Sequence, residues 1–184
     1  MLIDSQLYCV GADGYFLKNA YSGSLYFDGT GRYTSGNAEL DGYVLAALRG
    51  ATDDSMTRDE MLRAMYLSVR ASFTYLRRNY YGFGATGWGE EEAYTMLSTG
   101  YGNCYCYAAA FYEMARALGF DAVLYSGTIG TDQDPHGWVE IRQDGQMYVC
   151  DPEIEMTYYR DRPDYTPDMF MMPYYIACVW HYAR

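Results

Sequence analysis

Histidine is scarce in this chain: His136 and His181 are the only two. Any chemistry that needs an imidazole must use one of them. Metal chemistry has little to build on, because Cys104-x-Cys106 with His136, and Cys178-x-x-His181, are fragments without the paired spacing of a structural zinc site. No metal and no other cofactor is expected. Basic residues are also few: 13 Lys and Arg against 24 Asp and Glu leave a formal net charge of -11, with a pI near 4.4. Nucleic acid is excluded as a partner, since binding a phosphate backbone relies on clustered Lys and Arg. No apolar run approaches the ~18 residues of a membrane span. The opening Met1-Leu-Ile-Asp-Ser-Gln6 has neither the charged nor the apolar region of a secretory leader. Cysteine occurs five times, an odd count that fits one reactive thiol beside up to two disulfides and equally fits five reduced thiols.

What the chain has in quantity is apolar residues, half of the total, and aromatics, at 18%, enough for one sizeable core in 184 residues. It reads as two parts, 1–37 and 38–184. In the first, Leu7 to Asn19 and Leu25 to Asn37 each run from an aromatic strand through a Gly turn into a second strand, a weak internal repeat. This pattern resembles the cell-wall or glucan-binding repeats of Gram-positive surface proteins. That resemblance implies a secreted or cell-surface location in such a bacterium, with glycan or peptidoglycan as a partner. Two units are fewer than such a stack normally needs, so the segment reads either as the end of a longer array or as hairpins capping the main domain.

Beyond it, Ala38 to Arg49 has Leu40, Tyr43, Val44 and Leu48 on one helical face. Thr57-x-x-Glu60 is a capping box for a helix expected to reach about Asn79, with Met61, Met65, Val69, Phe73 and Leu76 as its apolar stripe. Tyr80 to Gly89 is a Gly-rich loop that suits a substrate wall or lid. The helix after it, Glu90 to Leu97, carries three glutamates that suit its first turn through the dipole. Tyr158, Tyr159, Tyr165, Tyr174 and Tyr175 read as half-buried packing ahead of an aromatic cleft.

The chemistry concentrates in three places. Around Cys104 the run from Gly100 to Phe111 passes from a turn-forming stretch into a good helix sequence, so the thiol falls in the first turn. There the unpaired N–H groups and the macrodipole favour thiolate over thiol. The helix has an apolar face of Ala108, Phe111, Ala115 and Leu118, with Gly119 as its C′ residue. Cys106 lies about 200° round the helix from Cys104 and points elsewhere. Asp144-Gly145 is the strongest hairpin signal, and a two-residue loop places Gln143 opposite Gln146, Glu140 opposite Val149, Trp138 opposite Asp151 and His136 opposite Glu153. His136 and Asp151 are then diagonal neighbours on one face, within hydrogen-bonding reach. His181 is the rival base, and it has no carboxylate close by in sequence. Cys150 points away from Asp151, toward the core.

Gly102-x-Cys104-x-x-x-Ala108-x-x-Phe111 with Arg116 and Gly119, then His136-x-Trp138-x-Glu140, then Asp151-Pro152, resembles the transglutaminase-like core over roughly residues 90 to 155. Glu153 stands where that family often has Thr, and Tyr148 where Trp is common. The resemblance implies an α+β, papain-like fold, a nucleophile helix packed on an antiparallel sheet and preceded here by the short β-hairpins. It also implies Cys104 as nucleophile, His136 as general base and acid, and Asp151 as the residue that orients His136. The implied reaction is acyl transfer through a Cys thioester. A peptidase or amidase acting on surface protein or cell-wall peptide is the first expectation, a cross-linking transglutaminase the second, and a non-catalytic wall-binding module the third. An oxyanion hole would draw on the Cys104 N–H and a side-chain donor. Trp88 in Gly87-Trp88-Gly89 is the foremost candidate, Asn103 is another, and Trp138 also stands near the substrate.

Overall fold

The computed structural model describes residues 1–184. The elements are, in order, β1 (Leu2–Ile3), β2 (Gln6–Leu7), β3 (Ala20–Ser22), β4 (Leu25–Phe27), β5 (Tyr33–Thr34), α1 (Ala38–Ala51), α2 (Arg58–Ser72), β6 (Thr74–Tyr75), α3 (Gly89–Thr99), β7 (Tyr101–Gly102), α4 (Cys104–Ala117), β8 (Asp121–Ile129), β9 (Asp134–Gln143), β10 (Gln146–Cys150), α5 (Pro152–Asp161), β11 (Met172–Pro173) and α6 (Tyr174–Ala177). The fold is α+β, as expected, and α4 is its axis. Helices α1, α2, α3 and α5 all pack on α4, and so do strands β8 and β9. Its sequence is apolar nearly all round, and twelve of its residues are buried. The single apolar face expected from the periodicity is therefore too narrow a description: a helix enclosed on every side has no solvent stripe.

The capping box of α2 forms as the sequence indicates, with Thr57 Oγ1 accepting the Glu60 N–H and Glu60 accepting the Thr57 N–H. The helix stops at Ser72, earlier than the expected Asn79. The β-branched and aromatic pair Thr74–Tyr75 leaves it to run parallel to β7, bonded through the Thr74 and Leu76 N–H groups to the Gly100 and Gly102 carbonyls. Leu76, expected in the core stripe, is 53% exposed as a result.

The main sheet is antiparallel, in the order β11-β10-β9-β8. The hairpin at Asp144-Gly145 has the expected two-residue loop, with Gln143 opposite Gln146 and Glu140 opposite Val149. Both of its loop residues have positive φ, the backbone such a tight loop requires. Pairing ends at Cys150 with Val139. Asp151 and Glu153 are thus not strand partners of Trp138 and His136, because Asp151 already caps α5, with Pro152 at its first turn.

Residues 1–37 form the β1–β2 ribbon and the β3-β4-β5 sheet, with an isolated bridge at Tyr8–Arg32 between them and a second, Val10–Phe16, within the stretch that joins β2 to β3. They pack on the main core through Leu2 and Tyr33, and Arg116 of α4 donates to the Ser24 carbonyl at 3.0 Å.

Candidate active site

Cys104 is the first residue of α4, with Asn103 as N-cap in extended conformation. The first amides of a helix lack intrahelical acceptors, so the sulfur sits at a cluster of N–H donors. Strand β9 is brought against this point by Gly137. A Cβ there would lie 2.6 Å from Tyr105 Cδ1 and 3.1 Å from Tyr105 Cα, so only glycine lets the strand backbone rest on the start of α4. That contact puts His136 beside the first residue of α4, close enough to Cys104 for the sulfur to act on the ring.

On the other side of the imidazole, His136 Nε2 lies 2.6 Å from Asp151 Oδ2, which leaves Nδ1 as the ring nitrogen for the thiol. Asp151 is held at every polar group. Its N–H donates to the Met169 carbonyl at 3.1 Å, its carbonyl accepts the Tyr66 hydroxyl at 3.0 Å, and Oδ1 accepts the Ile154 N–H at 3.0 Å. Burial alone would push the His136 imidazolium down. The Asp151 carboxylate and the Cys104 sulfur outweigh it and hold the ring's pKa well above the ordinary histidine range. Cys104, His136 and Asp151 are 3%, 3% and 0% exposed, so the three groups interact in a low-dielectric setting where charge pairs are strong.

The chain matches the family pattern described as the transglutaminase-like superfamily over residues 45–152. The chain belongs to the transglutaminase-like superfamily. No curated protein matches it. Among solved structures it is similar to a TGase, with 12% identity over 62% of this chain and 31% of that one, at a TM-score of 0.49. It is also similar to a putative cysteine protease from Cytophaga hutchinsonii, with 17% identity over 62% of this chain and 37% of that one, at 0.45. A third is the periplasmic domain of TgpA from Pseudomonas aeruginosa, with 20% identity over 71% of this chain and 47% of that one, at 0.43. The chain therefore spans between about a third and a half of these proteins. Membership in the transglutaminase-like superfamily supports a thiol-dependent enzyme as the general class.

Two of the three side chains expected near the substrate, Trp88 and Trp138, have their N–H groups engaged within the protein. The Trp88 indole N–H donates to the Ala85 carbonyl at 3.0 Å and its ring stacks on Tyr81, so the loop itself consumes this donor. Trp138 is fully buried, with its N–H on Glu140 Oε1 at 3.2 Å. Asn103 spends one Nδ2 proton on the Asn79 carbonyl at 2.8 Å and has a second to give. His181, the rival base, is exposed in a left-handed turn.

All five cysteines are free thiols. Cys150 accepts the Met171 N–H at 3.3 Å inside the core, where burial pushes its thiol up to about 12. His136, Asp151 and Glu153 offer ligand atoms within 4.8 Å of one another. Nε2 and Oδ2 are already bonded to each other, and Glu153 accepts the Thr157 hydroxyl at 2.8 Å.

Two features escaped the sequence reading. Glu92, expected only to suit the helix dipole in the first turn, is also fully buried and accepts the Cys106 thiol at 2.6 Å and the Tyr81 hydroxyl at 2.6 Å. Tyr182 donates its hydroxyl to Asp151 Oδ2 at 2.7 Å. No local pattern announces either contact, since both join residues brought together only by the fold.

Proposed function

We propose that this chain is a thiol-dependent acyl-transfer enzyme acting on amide bonds, with Cys104 as nucleophile, His136 as general base and acid, and Asp151 as the orienting carboxylate. The observation that carries this reading is a buried His136 bonded through Nε2 to Asp151, beside a cysteine at a helix start whose sulfur acts on the ring. In the reaction the Cys104 sulfur attacks the amide carbonyl carbon, and the resulting oxyanion is met by N–H groups at the start of α4. His136 gives its proton to the departing amine as the C–N bond breaks, leaving a thioester on Cys104. Water, losing a proton to His136, then attacks the thioester and releases a carboxylic acid and the thiol. Water is the assigned acceptor because no residue arrangement marks an amine site, and a peptidase or amidase on surface protein or cell-wall peptide follows. Incubation with peptide libraries and intact-mass detection of the acyl-enzyme tests this. New carboxylate termini that vanish in Cys104→Ala support it, whereas incorporation of a primary amine such as dansylcadaverine points to the cross-linking alternative.

A second reading is favoured by the aromatics of residues 1–37, where Tyr15 is 76% and Tyr21 71% exposed. In it, this segment is a separate unit that holds the chain on cell-wall glycan at the surface of a Gram-positive bacterium, and residues 38–184 carry the reaction. A wall-sedimentation assay with Cys104→Ala and with Tyr15→Ala/Tyr21→Ala tests it: binding must survive the first and fall in the second.

A further inference from the structure

The face of β9 that carries His136, Trp138 and Glu140 is covered by the last residues of the chain. Ala183 pairs with Thr128 through two hydrogen bonds of 2.9 Å, room being left by Gly127, where a Cβ would lie 2.0 Å from the Ala183 carbonyl oxygen. Arg184 forms an ion pair with buried Glu140 and lies over the Tyr125 ring at 4.6 Å. Between the 3₁₀ turn at Cys178–Trp180 and these fastenings sits Tyr182, its ring 5.1 Å from that of Trp138 and 6.3 Å from that of His136. Its hydroxyl reaches Asp151 Oδ2 at 2.7 Å, the same oxygen that lies 2.6 Å from His136 Nε2. Packing alone does not require that coincidence, since Oδ1 faces the start of α5 instead.

We propose that Tyr182 is a positioning residue of this site: its hydroxyl proton, donated to the Asp151 oxygen that holds His136, fixes that oxygen and draws part of its charge away from the imidazole. The inference rests on the reading of Cys104, His136 and Asp151 as the reacting groups. A carboxylate oxygen shared between two donors gives less to each, so Tyr182 lowers the hold of Asp151 on the imidazolium proton and eases its transfer. The titratable groups facing His136 are Cys104 and Tyr105 on α4, Asp151 and Glu153 at the start of α5, and Tyr182. Only the last is altered in the comparison that follows.

With only two histidines in the chain, ¹³C/¹⁵N-histidine labelling resolves both rings by NMR, and His181→Ala assigns them. In Tyr182→Phe the His136 titration midpoint should rise by roughly 0.5 to 1 pH unit, about a three- to tenfold change in the ratio of protonated to neutral ring. Replacement of Tyr182 by 3,5-difluorotyrosine keeps the ring and strengthens the donor, so it guards against a folding defect in the Phe variant; the midpoint should then fall. The alkaline limb of Cys104 alkylation should follow in the same two directions. Unchanged midpoints in both variants, while His136→Ala still alters alkylation of Cys104 in the parent, would overturn the role of Tyr182 alone. No effect of His136→Ala would overturn the triad reading and this inference with it.

Discussion

Asp151 serves two neighbours with two oxygens: Oδ2 meets His136 Nε2 at 2.6 Å, and Oδ1 accepts the Ile154 N–H at the start of α5. The two duties separate by substitution. Asp151→Asn retains an oxygen for the helix cap and should keep most of the native stability, while losing the negative charge that stabilises the imidazolium. Asp151→Ala loses both, including a cap interaction of about 1 kcal/mol. Amide turnover should fall roughly 10²- to 10⁴-fold in both variants, while thermal denaturation shows a clearly lower Tm for Ala than for Asn. Equal Tm values would show that the cap contributes nothing.

Gly137 is the packing hinge between β9 and α4. Gly137→Ala drives a methyl into Tyr105, backbone included, and overpacking of this kind costs about 1–3 kcal/mol. Because the shift separates His136 from Cys104, reactivity of the thiol should drop even in the population that remains folded. Urea denaturation followed by alkylation under native conditions reads both effects. A fully stable, fully reactive variant would mean that the strand has slack at this point.

Cys106 stands two residues from Cys104 yet in another setting. Burial, with the Glu92 carboxylate as hydrogen-bond partner, pushes its thiol up to about 12. Peptide mapping after iodoacetamide treatment at neutral pH should find Cys104 modified and Cys106 untouched. Cys106→Ala should leave Cys104 labelling intact and destabilise the fold by about 1–3 kcal/mol, since buried Glu92 loses a donor.

Glu113 links α4 to the N-terminal segment, with the Tyr33 hydroxyl 3.4 Å away and Arg116 at 3.9 Å. Burial pushes its carboxyl up to about 7, against the lowering pull of Arg116 and Tyr33. A folded pKa above the unfolded one means that the stabilisation is complete below the unfolded value, about 4.3, and is lost as pH rises through about 7. The change is on the order of 3 kcal/mol. Glu113→Gln should flatten the stability profile between pH 5 and 8 and exceed the parent in stability at pH 8, as measured by denaturant midpoints. Parallel profiles for the two proteins would show that Glu113 titrates normally.

Much of the architecture was legible because it is written in local chemistry. The Thr57 capping box, the Asp144-Gly145 loop with its register, and the helix start at Cys104 each depend on neighbours within a few residues. The α5 helix was missed although Asp151, Pro152, Glu153 and Glu155 form a regular start signal. Reading Asp151 as a strand residue hid its role as a cap, and its contact with His136 arises from that cap position. Trp88 failed as a free donor because the carbonyl that takes its proton lies three residues back in a loop whose shape has no local signature. Glu92 and Tyr182 lay beyond reach for a different reason. A buried carboxylate among glutamates, and one tyrosine among 23, look like their exposed counterparts until long-range packing selects them.

The most direct test of the account is the pH dependence of Cys104 alkylation by iodoacetamide, located by peptide mapping, in the parent protein and in His136→Ala. The account predicts labelling of Cys104 at pH 6, where an ordinary thiol with a pKa of about 8.5 reacts little, and a loss of at least about tenfold in the variant. Labelling of Cys104 that follows the ordinary thiol profile, identical in the two proteins, would contradict it.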